Sequence, residues 1–89
     1  MFKKYYCYKK LLEEARVKSE FSRSELIDVF SLYTSKTYTW SLIQIAIYEG
    51  VLVKLDGKKY RVNLDVLEHR LNELREKIVK RYGWLKVGE

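Results

Sequence analysis

Lys54, Lys58, Lys59 and Arg61 fall within eight consecutive positions, with Asp56 as the one acid among them. Cations gathered this way bind anions, above all phosphates. Such contacts fix position and carry salt dependence without reading a base sequence. Upstream, Thr37, Ser41 and Gln44 recur on one side of a helical run. They donate and accept hydrogen bonds without collapsing into a core, which a groove-reading surface requires. Lys36 stands near the start of that run, where free backbone N–H groups also attract a phosphate. Covalent chemistry finds no such constellation. His69 is alone among charged neighbours, and Cys7 has no His or acid nearby in sequence to activate it. Cys7 reads as a small buried or interfacial residue. No nucleotide-binding glycine loop or carboxylate pair is found, and Glu13-Glu14 and Glu73/Glu76 suit solvated helix faces. The expectation is a binding protein, not an enzyme, with no metal and no cofactor.

Four helical stretches and one hairpin must hold these residues. The hairpin is signalled by Asp56-Gly57, a pair suited to a two-residue turn with positive φ at both positions. Counting outward pairs Leu55 with Lys58, Lys54 with Lys59, Val53 with Tyr60 and Leu52 with Arg61. Val51, Val53, Leu55, Tyr60 and Val62 then share one face, and Lys54, Lys59 and Arg61 the other. Like charges facing each other on a ribbon are mildly destabilising, so an anionic partner is expected to neutralise them.

Helix 1 is expected over about residues 3–18, with Tyr5, Tyr8, Leu11, Leu12 and Ala15 in one arc and Phe2 and Tyr6 off it. Helix 2 starts at a capping box, Ser22-Arg23-Ser24-Glu25, and carries Leu26, Ile27, Val29 and Phe30 inward. It dies in Tyr33-Thr34-Ser35. Helix 3 takes Ser35 as its N-cap and ends at Glu49, with Gly50 fitted to the left-handed stop. Thr39, Ile43, Ala46 and Ile47 form its core face, opposite Thr37, Ser41, Gln44 and Tyr48. Helix 4 follows Asn63 with Asp65 in its first turn. Leu64, Leu67, Leu71, Leu74 and Ile78 make a heptad-like seam, and Glu73/Lys77 and Glu76/Lys80 are i,i+4 pairs. Gly83 is expected to end it before the apolar tail Trp84-Leu85-Lys86-Val87.

The order of these elements is similar to that of the winged helix-turn-helix family. The resemblance rests on Glu25-Leu26, the Tyr33-to-Ser35 turn, Ile43 and Ile47, Glu49-Gly50-Val51-Leu52 and the Asp56-Gly57 hairpin, and it covers about residues 20–63. It implies an α+β, mostly helical domain over residues 1–89, with a C-terminal dimerisation helix at 64–82. It implies that helix 3 enters the major groove of double-stranded DNA with Lys36, Thr37, Tyr38, Ser41 and Gln44. The hairpin becomes a wing whose Lys54, Lys58, Lys59 and Arg61 meet phosphates or the minor groove. Small archaeal and bacterial regulators resembling the PadR-like group dimerise through such a helix. Here that assigns Leu67, Leu71, Leu74 and Ile78 to a homodimer interface.

Composition agrees with an anionic partner. The 89 residues carry a net charge of +6, divided as +4 over residues 1–18, −2 over 19–53, +3 over 54–61 and +1 over 62–89. One small domain is expected, with a marginal core that oligomerisation would help. One cysteine excludes an internal disulfide, and no apolar run approaches the roughly 20 residues of a membrane span. With no signal-peptide core at the N-terminus, a soluble cytoplasmic protein is expected. No Pro, eight Tyr and many Lys, Glu and Ile lean toward a thermophilic source. The expected role is a transcriptional regulator, or a plasmid- or virus-type partition or genome-organising factor. Two alternatives stand beside it. One is a protein-interaction module anchored by Tyr6, Tyr48 and Trp84. The other is a single-stranded nucleic acid binder that uses tyrosines as stacking platforms.

Overall fold

The structure, a computed structural model, describes residues 2–82, so the expected helix stop at Gly83 and the 84–87 tail lie outside the described residues. Along the chain run α1 (Phe2–Ala15), β1 (Glu20–Ser22), α2 (Arg23–Phe30), α3 (Lys36–Tyr48), β2 (Leu52–Leu55), β3 (Lys59–Val62) and α4 (Leu64–Tyr82). The described fold is therefore α+β and mostly helical, with a three-stranded antiparallel sheet in the order β1-β3-β2.

Local chemistry sets most helix ends. The Ser22 hydroxyl accepts the Glu25 N–H at 3.2 Å while the Glu25 carboxylate accepts the Ser22 N–H at 2.8 Å, closing the capping box of α2. Ser35 caps α3 by accepting the Tyr38 N–H at 3.2 Å. Asn63 does the same for α4 through the Val66 N–H at 3.3 Å. At the far end of α3, the Gly50 N–H donates to the Ile47 carbonyl and the Val51 N–H to the Ala46 carbonyl. That is the Schellman pattern, and it needs the left-handed φ of +83° at Gly50.

One core joins all the elements. Tyr8 and Leu11 of α1, Leu26 and Phe30 of α2, and Leu42 and Ile43 of α3 meet Phe21, Leu52 and Tyr60 of the sheet and Leu67 of α4. Thr39 is fully buried, and its hydroxyl donates to the Ser35 carbonyl at 2.9 Å. Burial without that partner would be costly.

Three expectations about placement change. β1 has no counterpart in the periodicity of the sequence, yet it pairs Glu20 with Arg61, Phe21 with Tyr60 and Ser22 with Lys59. The hairpin register moves by one: Leu52 faces Val62, Val53 faces Arg61, Lys54 faces Tyr60 and Leu55 faces Lys59. The cause is a longer loop, since Lys58 joins Gly57 at positive φ, 63° and 74°. Lys54 and Lys59 are thus not opposite each other. Lys54 shares the face of buried Tyr60, whereas Val53, Leu55, Lys59 and Arg61 lie on the outer face.

The third change concerns α4. Leu67, Leu71 and Ile78 of the seam are buried within this one chain, and Leu74 packs partly buried against the core. The helix α1 lies along α4 and fills the seam from inside. These residues therefore do not form a free face for a second copy. Glu73 also turns back, to Arg70 at 3.2 Å and His69 at 3.8 Å, not on to Lys77. No helix among the described residues is long and apolar enough to cross a membrane.

Candidate nucleic-acid interface

Seen down its axis, α3 divides cleanly. Thr39, Leu42, Ile43 and Ala46 are buried on one side. Lys36, Thr37, Trp40, Ser41, Gln44 and Tyr48 are exposed on the other. At 100° per residue these six fill a continuous arc, so the outward row begins at the capped N-terminus and runs the length of the helix. Four of the five residues expected at a groove lie in that row. Tyr38 does not: it is half-buried and leans on the core, and burial first of all raises its phenol pKa. Its contribution is to seat the first turn of α3.

The row is richer in aromatic surface than its polar composition suggests. Tyr48 is 93% exposed, and Trp40 stands at its N-terminal half. The guanidinium of Arg23 lies over the Trp40 ring at 4.3 Å from its centre. Neither Arg23 nor Trp40 carries a sequence signal of its own. Their proximity depends on the angle between α2 and α3.

Around the hairpin, Lys54, Lys58 and Lys59 are exposed, and no ion pair holds them among the described residues. Arg61 differs, because β1 brings Glu20 opposite it and the two approach to 3.6 Å. An exposed pair of this length is weak, so an incoming phosphate can compete for Arg61. The β1–α2 corner connects the hairpin to the outward row of α3. Ser22 faces Lys59 on the sheet, and the next residue, Arg23, reaches Trp40 on α3.

A second polar cluster braces α3 from behind. Glu49 at its C-cap accepts a hydrogen bond from the Tyr8 hydroxyl at 2.7 Å and pairs with Lys4 at 2.8 Å. Burial alone pushes the Glu49 carboxyl up, but the Lys4 and Tyr8 hydrogen bonds outweigh it and hold the pKa below the ordinary glutamate value. Burial also raises the Tyr8 phenol strongly, with the Glu49 hydrogen bond adding to it. A carboxylate at a helix C-terminus opposes the macrodipole, and Lys4 offsets that. These groups are structural ties from α1 to α3.

Burial pushes the Cys7 thiol up to about 11, and its Sγ donates to the Phe30 carbonyl at 3.5 Å. That is an inert, packed thiol. Among the described residues no group of three His, Cys, Asp or Glu side chains could hold a metal ion. The open groove between α1 and α4 mixes Lys9, Arg16 and Arg75 with Glu13 and Glu68 and is not continuous in charge. No protein-family model matches this chain, and neither the curated proteins nor the solved structures compared with it contain a match.

Proposed function

We propose that this chain is a winged helix protein that binds double-stranded DNA, with the outward row of α3 in the major groove and the β2–β3 hairpin on the backbone beside it. The observation that carries the reading is the surface formed by these two elements. A capped helix presents Thr37, Ser41 and Gln44 outward, and a hairpin beside it carries Lys54, Lys58 and Lys59 without acidic partners among the described residues. The element order from α1 to α4, with the β1 strand added beside β3, supports the same reading.

The division of labour follows from the chemistry. Lysines on the hairpin supply affinity through counterion release and make no choice of sequence. Thr37, Ser41 and Gln44 supply whatever choice there is, with Lys36 at the helix start on a phosphate. With one lysine on its outward row, α3 contributes modestly to affinity, so binding is led by the backbone. A role in transcriptional regulation, or in partitioning or organising a genome, fits this mode. No dimer is required, since one copy carries both contact elements and the seam of α4 is filled by α1.

Fluorescence anisotropy with a labelled duplex, titrated over a range of salt, is the test. Micromolar binding at low salt with a steep salt dependence is expected. Lys59→Ala is expected to weaken binding to every sequence alike and to lower the salt slope by about one. Absence of binding at low salt overturns the reading.

A protein partner is the second reading, favoured by one exposed patch. Tyr6 stacks on Tyr33 with ring centres 5.8 Å apart, beside exposed Leu32, and Tyr48 projects freely from α3. Co-purification of a partner through these aromatics, with duplex DNA ignored, would favour it. Single-stranded binding loses three of its tyrosines, because Tyr5, Tyr8 and Tyr60 are core residues.

A further inference from the structure

Arg23 is the first residue of α2, directly after the Ser22 cap. Both acids nearest in sequence are already engaged. Glu20 faces Arg61, and Glu25 accepts the Ser22 N–H and pairs with Lys18. Arg23 is thus left without a counter-charge among the described residues, and its guanidinium rests on the face of Trp40 at 4.3 Å. An indole face holds a guanidinium by cation–π attraction and leaves the in-plane N–H edge open. That edge is a planar fork matched to two oxygens of a phosphate, which a lysine ammonium cannot imitate. Its location gives the fork a purpose. Arg23 lies between Lys59, one position beyond the pair Ser22–Lys59, and the outward row of α3 that includes Trp40.

We propose that Arg23, held against Trp40, is a phosphate-binding residue that grips the DNA backbone between the stretch met by α3 and the stretch held by the hairpin. Trp40 is its positioning residue. This rests on the DNA-binding reading above and adds to it a specific site for a phosphodiester at the β1–α2 corner. The stack fixes the guanidinium before DNA arrives, so less side-chain freedom is lost on contact than at a free surface lysine.

The experiment is a set of anisotropy titrations of a labelled duplex against the wild-type chain and Arg23→Ala, Arg23→Lys, Trp40→Ala and the Arg23→Ala/Trp40→Ala pair, each over a range of salt. Both side chains are exposed, so circular dichroism melting is expected to leave all variants folded. Arg23→Ala is expected to weaken binding by about tenfold or more, the scale of a charge-assisted hydrogen bond, and to reduce the salt slope by about one. Arg23→Lys is expected to restore the slope but not the affinity, since it keeps the charge and loses the fork. A merely structural role for Arg23 would not separate slope from affinity in this way. Trp40→Ala is expected to weaken binding with the slope nearly kept, and the pair to lose less than the product of the two single losses. Wild-type affinity and slope in Arg23→Ala overturn the proposal, as do losses in the pair that simply multiply. In that case wild-type DNA binding remains, and the function above survives. If the wild-type chain ignores duplex DNA at low salt, both fall. A protein ligand lost on Arg23→Ala while DNA affinity is unchanged also overturns it, because the fork then serves a carboxylate.

Discussion

At the residue scale, Lys58 joins two demands at one position. It sits at a φ of 63°, where an L side chain is disfavoured and glycine is not. It also contributes one of the hairpin cations. Substituting Lys58→Gly is expected to raise stability by on the order of 1 kcal/mol, read as a higher urea midpoint. The same substitution is expected to weaken DNA binding, because the proposed phosphate contact is lost. A stability gain with no loss of binding would contradict the phosphate role of Lys58. Sequence alone could not assign this role. Asp56-Gly57 signals a two-residue turn, and nothing in Lys58 announces positive φ. The one-residue shift in register follows, and with it Lys54 moves to the face of Tyr60 while Val53 and Leu55 move to that of Lys59 and Arg61.

At the element scale, what could be read ahead and what could not separate by range. The caps Ser22, Ser35 and Asn63 and the stop at Gly50 act through backbone groups within a few residues, so side-chain type and spacing reveal them. β1 spans Glu20–Ser22, too short for an alternation to register, and it exists because Tyr60 offers Phe21 a buried neighbour. The seam of α4 was legible as a stripe, but its occupant was not: a heptad pattern is the same whether a second copy or α1 fills it. Leu71→Ala is accordingly expected to cost about 2–5 kcal/mol of folding stability and to leave the molar mass by light scattering unchanged. A folded variant of halved mass would return the seam to a dimer. The tie from α1 to α3 titrates. Because Glu49 has a folded-state pKa below its unfolded value, its stabilisation is complete above the unfolded value and is lost as pH falls through the folded one. Urea midpoints of the wild type are expected to drop more steeply than those of Glu49→Gln between about pH 5 and pH 3. Parallel profiles would mean that the Lys4–Glu49–Tyr8 cluster carries no acid-side stability.

At the scale of the whole molecule, the proposed binding surface is what the core of a small α+β domain leaves over. The core consumes the inward faces of all four helices and the sheet. The outward row of α3, the Arg23–Trp40 stack and the hairpin lysines remain outside. Most of that surface could be named from residue types, since Thr37, Ser41 and Gln44 oppose a core face and the lysines crowd a turn. Arg23 and Trp40 could not, because their meeting depends on how α2 and α3 cross. The central claim is that this combined surface holds duplex DNA. Two-dimensional NMR of the labelled chain, titrated with a short duplex, tests it residue by residue. Amide shifts are expected to gather at Arg23, along the outward row of α3 from Lys36 to Gln44, and through the hairpin from Lys54 to Arg61, while the α1–α4 groove stays unchanged. Shifts centred on Tyr6, Leu32 and Tyr33, or no shifts at low salt, would contradict it.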